Sequence, residues 1–173
     1  MNSKELFVRD TTVIKQSDNL YTAEVSENWS IGNTANGGYS MTLAARAMSE
    51  FLEHKDPLSI SAHYLDRVDF GSTEFHVTHL SSSKSLSTAR VELIQDNKIK
   101  IIFIGTFTDF SFKNDMNIYE RDVPNFPEYN SCEVIPYKEG FNPKLDKNIE
   151  KAYAQDSLWW KKDIDNSSST LNL

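Results

Sequence analysis

The residues best placed to do chemistry are Asn36-Gly37-Gly38-Tyr39, where two glycines open a run rich in alanine. A helix leaves its first N–H groups without intrahelical partners and carries the positive end of its dipole there. If the run is helical, the N–H groups of Gly38 and Tyr39 face outward, and the missing side chains let a ligand approach the backbone closely. Such a step suits the oxyanion that develops when an acyl group is attacked. It equally suits close packing of a helix on a sheet, or a tight turn. Asn36 reads first as the cap of that helix. Its amide can orient a water or a carbonyl but cannot remove a proton. No acidic residue lies between Glu27 and Glu50, so a base must come from elsewhere, and the candidates are His63, Asp66 and Asp69.

His63 alternates with Ser59, Ser61 and Leu65, opposite the apolar set Leu58, Ile60, Ala62 and Tyr64. A strand histidine in that position is either a hydrogen-bonded structural residue or one that lines a site. Asp66 and Asp69 flank Arg67 ahead of Gly71 and read most simply as a solvated turn. His76 and His79 stand three apart on a strand, hence on opposite faces, so they cannot chelate one metal. Cys132 has no partner motif, and no Cys/His set has zinc spacing. Ser81-Ser82-Ser83-Lys84-Ser85 reads as a polar turn, with a phosphate cradle the less favoured alternative.

The elements that must position these residues follow from periodicity. Leu20–Val25 is a strand. From Tyr39 to Leu52 the apolar residues Met41, Leu43, Ala44, Ala45, Ala47, Met48, Phe51 and Leu52 leave little polar surface besides Arg46, Ser49 and Glu50, so this helix must be enclosed. Strands are expected at Leu58–Leu65, Thr73–Leu80, Ser85–Gln95 and Ile99–Phe110. The last two make a hairpin about Asp96-Asn97-Lys98. Pairing Gln95 with Lys98 would set Val91 against Ile102, Ala89 against Ile104 and Arg90 against Phe103. The final strand is apolar on both sides, with Ile99, Ile101, Phe103 and Phe107 against Ile102 and Ile104, so its outer side needs a cover, either the tail or another subunit. One enclosed helix followed by long antiparallel strands is an α+β arrangement, a sheet curled around a helix, which is the hotdog fold.

At 173 residues the chain has room for one domain and part of a second. The boundary is expected between Phe110 and Asn125, giving a domain over 1–110 and a loop-rich extension over 111–173. Charged residues rise from 24 of the first 110 to 19 of the last 63, and four of the five prolines lie in the second part. A net charge of −7, with no basic patch interleaved with aromatics, excludes nucleic acid as a natural partner. No apolar stretch approaches the ~20 residues a bilayer requires. One cysteine, and acids where a signal peptide would be basic and then apolar, point to the reducing cytoplasm.

Taken in order, Trp29, the Asn36-Gly37-Gly38-Tyr39 step and Asp56-Pro57-Leu58-Ser59-Ile60-Ser61-Ala62-His63-Tyr64-Leu65 resemble the N-terminal hotdog of type II, TesB-like, acyl-CoA thioesterases. Val77-Thr78-His79-Leu80, Lys84-Ser85-Leu86-Ser87-Thr88-Ala89-Arg90-Val91 and Gly105-Thr106-Phe107 extend the resemblance over about residues 20–110. Members of that family are double hotdogs, and Lys138–Leu145 and Trp159-Trp160 resemble the opening strands of the second copy, whose helix is missing. The resemblance implies an acyl-CoA thioester substrate and no cofactor. The family's catalytic Asp, Thr and Gln lie in the second hotdog, so no triad is carried onto this chain. What remains is Asn36 and His63 as candidate catalytic residues, and Gly37, Gly38 and Tyr39 as candidate substrate-binding residues. A homodimer or higher oligomer would replace the covalent second copy. The alternative is a catalytically inactive hotdog that binds an acyl ligand or serves assembly.

Overall fold

Asn2 and Glu5 cap each other's backbone, Asn2 Oδ1 accepting from Glu5 N–H at 2.9 Å and Glu5 Oε2 from Asn2 N–H at 3.1 Å. They start helix α1, Ser3–Asp10, an element the periodicity did not suggest. The computed structural model describes residues 2–111 and 125–158. After α1 come β1 (Ile14–Lys15), β2 (Leu20–Val25), a single turn at Glu27–Trp29, and the short ribbon β3 (Ser30–Ile31) and β4 (Thr34–Ala35). Helix α2 spans Gly37–Phe51, followed by β5 (Asp56–Tyr64), β6 (Gly71–Ser82), β7 (Ser87–Gln95) and β8 (Lys98–Thr108). Beyond residue 124 lie β9 (Glu133–Ile135) and β10 (Lys151–Tyr153), paired with each other.

One antiparallel sheet runs in the order β1-β2-β6-β7-β8-β5, with α2 packed against one of its faces. Leu43, Ala44, Ala47 and Met48 of α2 are wholly buried together with Phe75, Val91, Leu93, Phe103 and Phe107 of the sheet. Each of the larger of these side chains, Leu, Met, Val and Phe, contributes about 1.5–3 kcal/mol on removal from water. Arg46 and Glu50 mark an outward stripe, so the helix is laid on the sheet and open on its far side rather than enclosed all round. Gly105 makes the closest approach possible. A Cβ there would sit 2.5 Å from Met48 Sδ. The helix ends with its last carbonyls held by one cation, as Lys55 Nζ donates to Ser49 O at 2.7 Å and Leu52 O at 2.6 Å.

The β7–β8 hairpin turns on Asp96 and Asn97, both with positive φ, 50° and 59°, the backbone of a tight primed turn. Gln95 pairs with Lys98 as expected, but the register beyond it differs from the expectation. Ile94 faces Ile99 and Leu93 faces Ile101, leaving Lys100 as an extra residue. Val91 therefore lies opposite Phe103, Ala89 opposite Gly105, and Arg90 opposite Ile104. The bulge has a physical cause. Lys100 is almost buried, its ammonium reaches Asp66 Oδ2 at 2.9 Å, and its carbonyl receives the N–H groups of both Leu65 and Asp66. Ile99 is thereby moved to the outer face with Ile102 and Ile104, where Ile99 and Ile104 remain 38% and 40% exposed.

Gln95, nearly buried, clamps the β5–β6 loop to this hairpin. Its Oε1 accepts from Asp69 N–H at 2.9 Å, and its Nε2 donates to Asp69 O and Thr73 Oγ1, both at 2.8 Å. Gln95→Ala should cost about 2 kcal/mol in urea unfolding, because it removes the partner of two backbone groups of Asp69 and the donor to the buried Thr73 hydroxyl, which keeps only its bond to Gly71 O at 3.3 Å. A loss below ~0.5 kcal/mol would show that water replaces the clamp.

Residues 138–145, expected as a strand, form a turn leading into the helical turn Lys144–Asn148. The Lys138 N–H is taken by Asn142 Oδ1, and the N–H groups of Phe141 and Asn142 by Lys138 O, which closes the chain on itself instead of extending it. Trp159-Trp160 lie outside the described residues. The Lys144–Asn148 turn rests on the Glu27–Trp29 turn through Lys144 Nζ to Glu27 Oε2 at 2.5 Å and Asn148 Nδ2 to Asn28 O at 3.0 Å, with Leu145 against the core.

Candidate active site at the entrance of the central helix

The β3–β4 ribbon delivers the chain to α2. Asn36 N–H donates to Trp29 O at 2.9 Å, while Ala35 N–H and Thr34 Oγ1 both donate to Val68 O, so the entrance is fixed from two sides. Asn36 is extended, φ −61° and ψ 139°, and its Oδ1 accepts from Gly38 N–H at 2.9 Å and Tyr39 N–H at 3.1 Å. The two N–H groups expected to face an incoming oxygen are thus both occupied by the cap. Among the described residues Gly37 N–H has no partner, which leaves it as the donor at this end of the dipole.

Over Gly37 lies a residue that strand alternation did not connect with the step. A Cβ placed on Gly37 would meet the Cε1 and the hydroxyl oxygen of Tyr64, each at 2.9 Å. Tyr64 is the last residue of β5, on the face shared with Ile60 and Ala62, and its ring is more than half exposed. Glycine at 37 is what allows the phenol to lie there. The edge of the sheet therefore brings a hydroxyl beside the unpartnered N–H.

Tyr39 belongs to the core through its side chain. Its ring stacks on Trp29 with centroids 6.2 Å apart, its hydroxyl donates to Asp10 O at 2.7 Å, and it accepts from Ser26 N–H at 3.1 Å. Burial raises this phenol's pKa above the ordinary value, so it is neutral at physiological pH. Trp29 Nε1 and Asn28 Nδ2 in turn donate to Asp10 Oδ2 at 3.1 and 2.9 Å, and Arg9 donates to Oδ1. Burial alone would raise the Asp10 carboxyl, but the hydrogen bonds from Asn28, Arg9, Ser26 and Trp29 outweigh it and hold the group below the usual range. Helix α1 is thereby tied to the entrance of α2.

His63 is not part of this cluster. It pairs with Ile102 and points, with Ser59 and Ser61, to the face of the sheet away from α2, exposed. Asn36 and His63 therefore cannot act on one carbonyl within a single chain. Asp66 is engaged by Lys100, and Asp69 by Gln95 through its backbone. No group of three or more His, Cys, Asp or Glu among the described residues could hold a metal ion.

With this geometry established, residues 25–109 match the family described as acyl-CoA thioesterase N-terminal domain. Residues 25–109 belong to that family. No curated protein sequence matches the chain. Among solved structures, one from Thermobifida fusca named for thioesterase II superposes on 91% of this chain with a TM-score of 0.76 at 20% identity. A TesB protein of Mycobacterium avium subspecies paratuberculosis superposes on 78% with a TM-score of 0.65 at 18% identity. A hotdog protein of Alicyclobacillus acidocaldarius does so on 81%, with 0.70 at 10% identity. At these identities the likeness establishes the hotdog fold. The chain covers 58%, 55% and 52% of those three, about half the length of each. No helix among its described residues is long and apolar enough to cross a membrane.

Proposed function

We propose that the thioesterase-family domain takes acyl-CoA thioesters at the entrance of α2, with residues 111–173 as an extension of that domain. The thioester oxygen would lie against Gly37 N–H with the Tyr64 hydroxyl beside it, Asn36 holding the first turn rigid. The observation that carries this reading is the unpartnered Gly37 N–H at the positive end of a fifteen-residue helix, with a phenol parked against the same glycine. Family membership supports the substrate class.

We further infer self-association. β5 is the longer of the sheet's two edge strands and offers one side of its backbone for pairing, and Leu58, Tyr64 and Leu65 along and just past it are all more than half exposed. Pairing β5 with β5 of a second copy would bring two α2 entrances into one continuous sheet. Light scattering at micromolar concentration should then give a dimer or a multiple of it. A monomer would remove that arrangement.

A second reading, a hotdog that binds the thioester or assembles without turnover, is favoured by a specific observation. No acid lies between Glu27 and Glu50, and His63 faces away from the entrance. Release of CoA from short-, medium- and long-chain acyl-CoAs decides between the two. Turnover that falls by about a hundredfold in Tyr64→Phe supports hydrolysis at this step. Binding of a ketone analogue, with a methylene between sulfur and carbonyl, in the absence of turnover supports the second. Neither turnover nor binding would overturn both.

A further inference from the structure

The Tyr64 phenol and the Gly37 backbone meet at the entrance of α2 although they are far apart in sequence, and both are held by the segment that leaves β5. The N–H groups of Leu65 and Asp66 converge on the single carbonyl of Lys100, at 2.9 and 3.0 Å, where β5 ends at Tyr64. Two residues further on, the carbonyl of the buried Val68 accepts from Ala35 N–H at 3.0 Å and from Thr34 Oγ1 at 2.9 Å, just ahead of Asn36 and Gly37. Residues 65–68 are therefore a strap, with the phenol at one end and the helix entrance at the other.

An ion pair fixes the strap near the phenol. Lys100 is the extra residue of the β7–β8 bulge and is 7% exposed, and its ammonium donates to Asp66 Oδ2 at 2.9 Å. The other oxygen of Asp66 accepts from Arg67 N–H at 2.8 Å. One carboxylate thus joins the bulge to the turn of the strap. The bond from Lys100 is the main cause that holds the Asp66 carboxyl below its usual range, and the same bond holds the Lys100 ammonium above its own, so both are charged at neutral pH.

Building on the reading of the α2 entrance as the acyl-CoA site, we propose that Lys100 and Asp66 are its positioning residues: together they set where the strap leaves β5, and so hold the Tyr64 phenol beside Gly37 N–H. Neither side chain needs to touch the ligand. A methionine would fill the same space, and a buried ammonium is costly unless paired, so what the pair adds is direction rather than burial. Tyr64 is 55% exposed, so packing of its ring alone holds it weakly. Thr34 and Ala35 keep the far end of the strap in place, and the end that moves without the pair is the one that carries the phenol.

Two measurements on the full chain test this, and the first needs no ligand. In the wild type the Tyr64 ring protons should show a nuclear Overhauser effect to the Gly37 α-protons, and Lys100→Met should abolish it, since the Asp66 carboxylate left behind is half exposed and turns to water. Asp66→Ala should repeat the loss. Asp66→Asn, which keeps an acceptor oxygen for the ammonium, should retain the contact, as should Lys98→Met, which removes a charge that reaches Asp66 without a hydrogen bond to it. The second is a double-mutant cycle on the ketone analogue. Lys100→Met should weaken binding about fivefold, as Tyr64→Phe does, and should cost nothing further in the Tyr64→Phe background. A lysine that merely stabilises the fold would give additive losses. A contact that persists in Lys100→Met, or additive losses in the cycle, would overturn the proposal. Loss of the contact with affinity unchanged in Tyr64→Phe would support the positioning and overturn the reading of the entrance.

Discussion

Replacing Asp10 by alanine is expected to destabilise the protein by about 3 kcal/mol at neutral pH, the largest loss from any single polar side chain considered. Asp10 is 8% exposed and accepts hydrogen bonds from Arg9, Asn28 and Trp29. Bonds to a charged group are worth about 1.5–3 kcal/mol each and do not add fully. Truncation also strands the indole N–H of Trp29, itself only 5% exposed. The effect has a pH signature. Because the folded carboxyl sits below its ordinary value, its ionisation contributes stability that is present at neutral pH. That contribution is lost as the pH falls below about 3.9 and on through the folded value. Urea unfolding at pH 7 and in acid should therefore show the gap between wild type and Asp10→Ala narrowing in acid. A gap that holds constant, or a loss under 1 kcal/mol at neutral pH, would mean that Asp10 does not tie α1 to the entrance of α2.

Gly37→Ala should weaken binding of an acyl-CoA ketone analogue by at least about tenfold while leaving the unfolding midpoint close to wild type. The new methyl would fall 2.9 Å from the Tyr64 ring and hydroxyl, closer than any real side-chain contact. Tyr64 can yield, since it is more than half exposed and stands at the end of an edge strand, so the fold survives the change. What cannot survive is the placement of phenol and backbone N–H on one side of the step. Tyr64→Phe separates the contributions, because it keeps the ring and removes the hydroxyl. It should cost about one neutral hydrogen bond, roughly 1 kcal/mol or fivefold, and Gly37→Ala more. Equal affinity in all three proteins would locate binding away from this step.

The architecture was legible because its signals are local. Leu20–Val25 begins and ends where its alternation does, and Asn36-Gly37-Gly38 marks the start of α2 by capping chemistry that spans only three residues. Helix α1 had a signal of the same kind in the Asn2-to-Glu5 spacing, overlooked because the segment has little apolar periodicity. The Lys100 bulge had no local signal at all. A lysine in an isoleucine-rich strand looks like a surface position, and only Asp66, 34 residues earlier and brought alongside by β5 pairing, explains why an extra residue is inserted there. The same holds for the entrance of α2. Its cap could be read directly, whereas the occupation of both the Gly38 and Tyr39 N–H groups by one Asn36 oxygen, and the arrival of Tyr64 over Gly37, depend on side-chain geometry and on where an edge strand stops.

Titration of the backbone amide resonances of the full chain with the acyl-CoA ketone analogue tests the central claim most directly. Gly37 N–H should move first and furthest, downfield as it gains an acceptor, with Gly38 and Tyr39 following through the Asn36 cap and the Tyr64 ring signals shifting in step. Saturable binding that leaves Gly37 and Tyr64 unmoved, with the perturbed amides gathered around Lys84 and Asp109 or on the outer face of β8, would contradict the account.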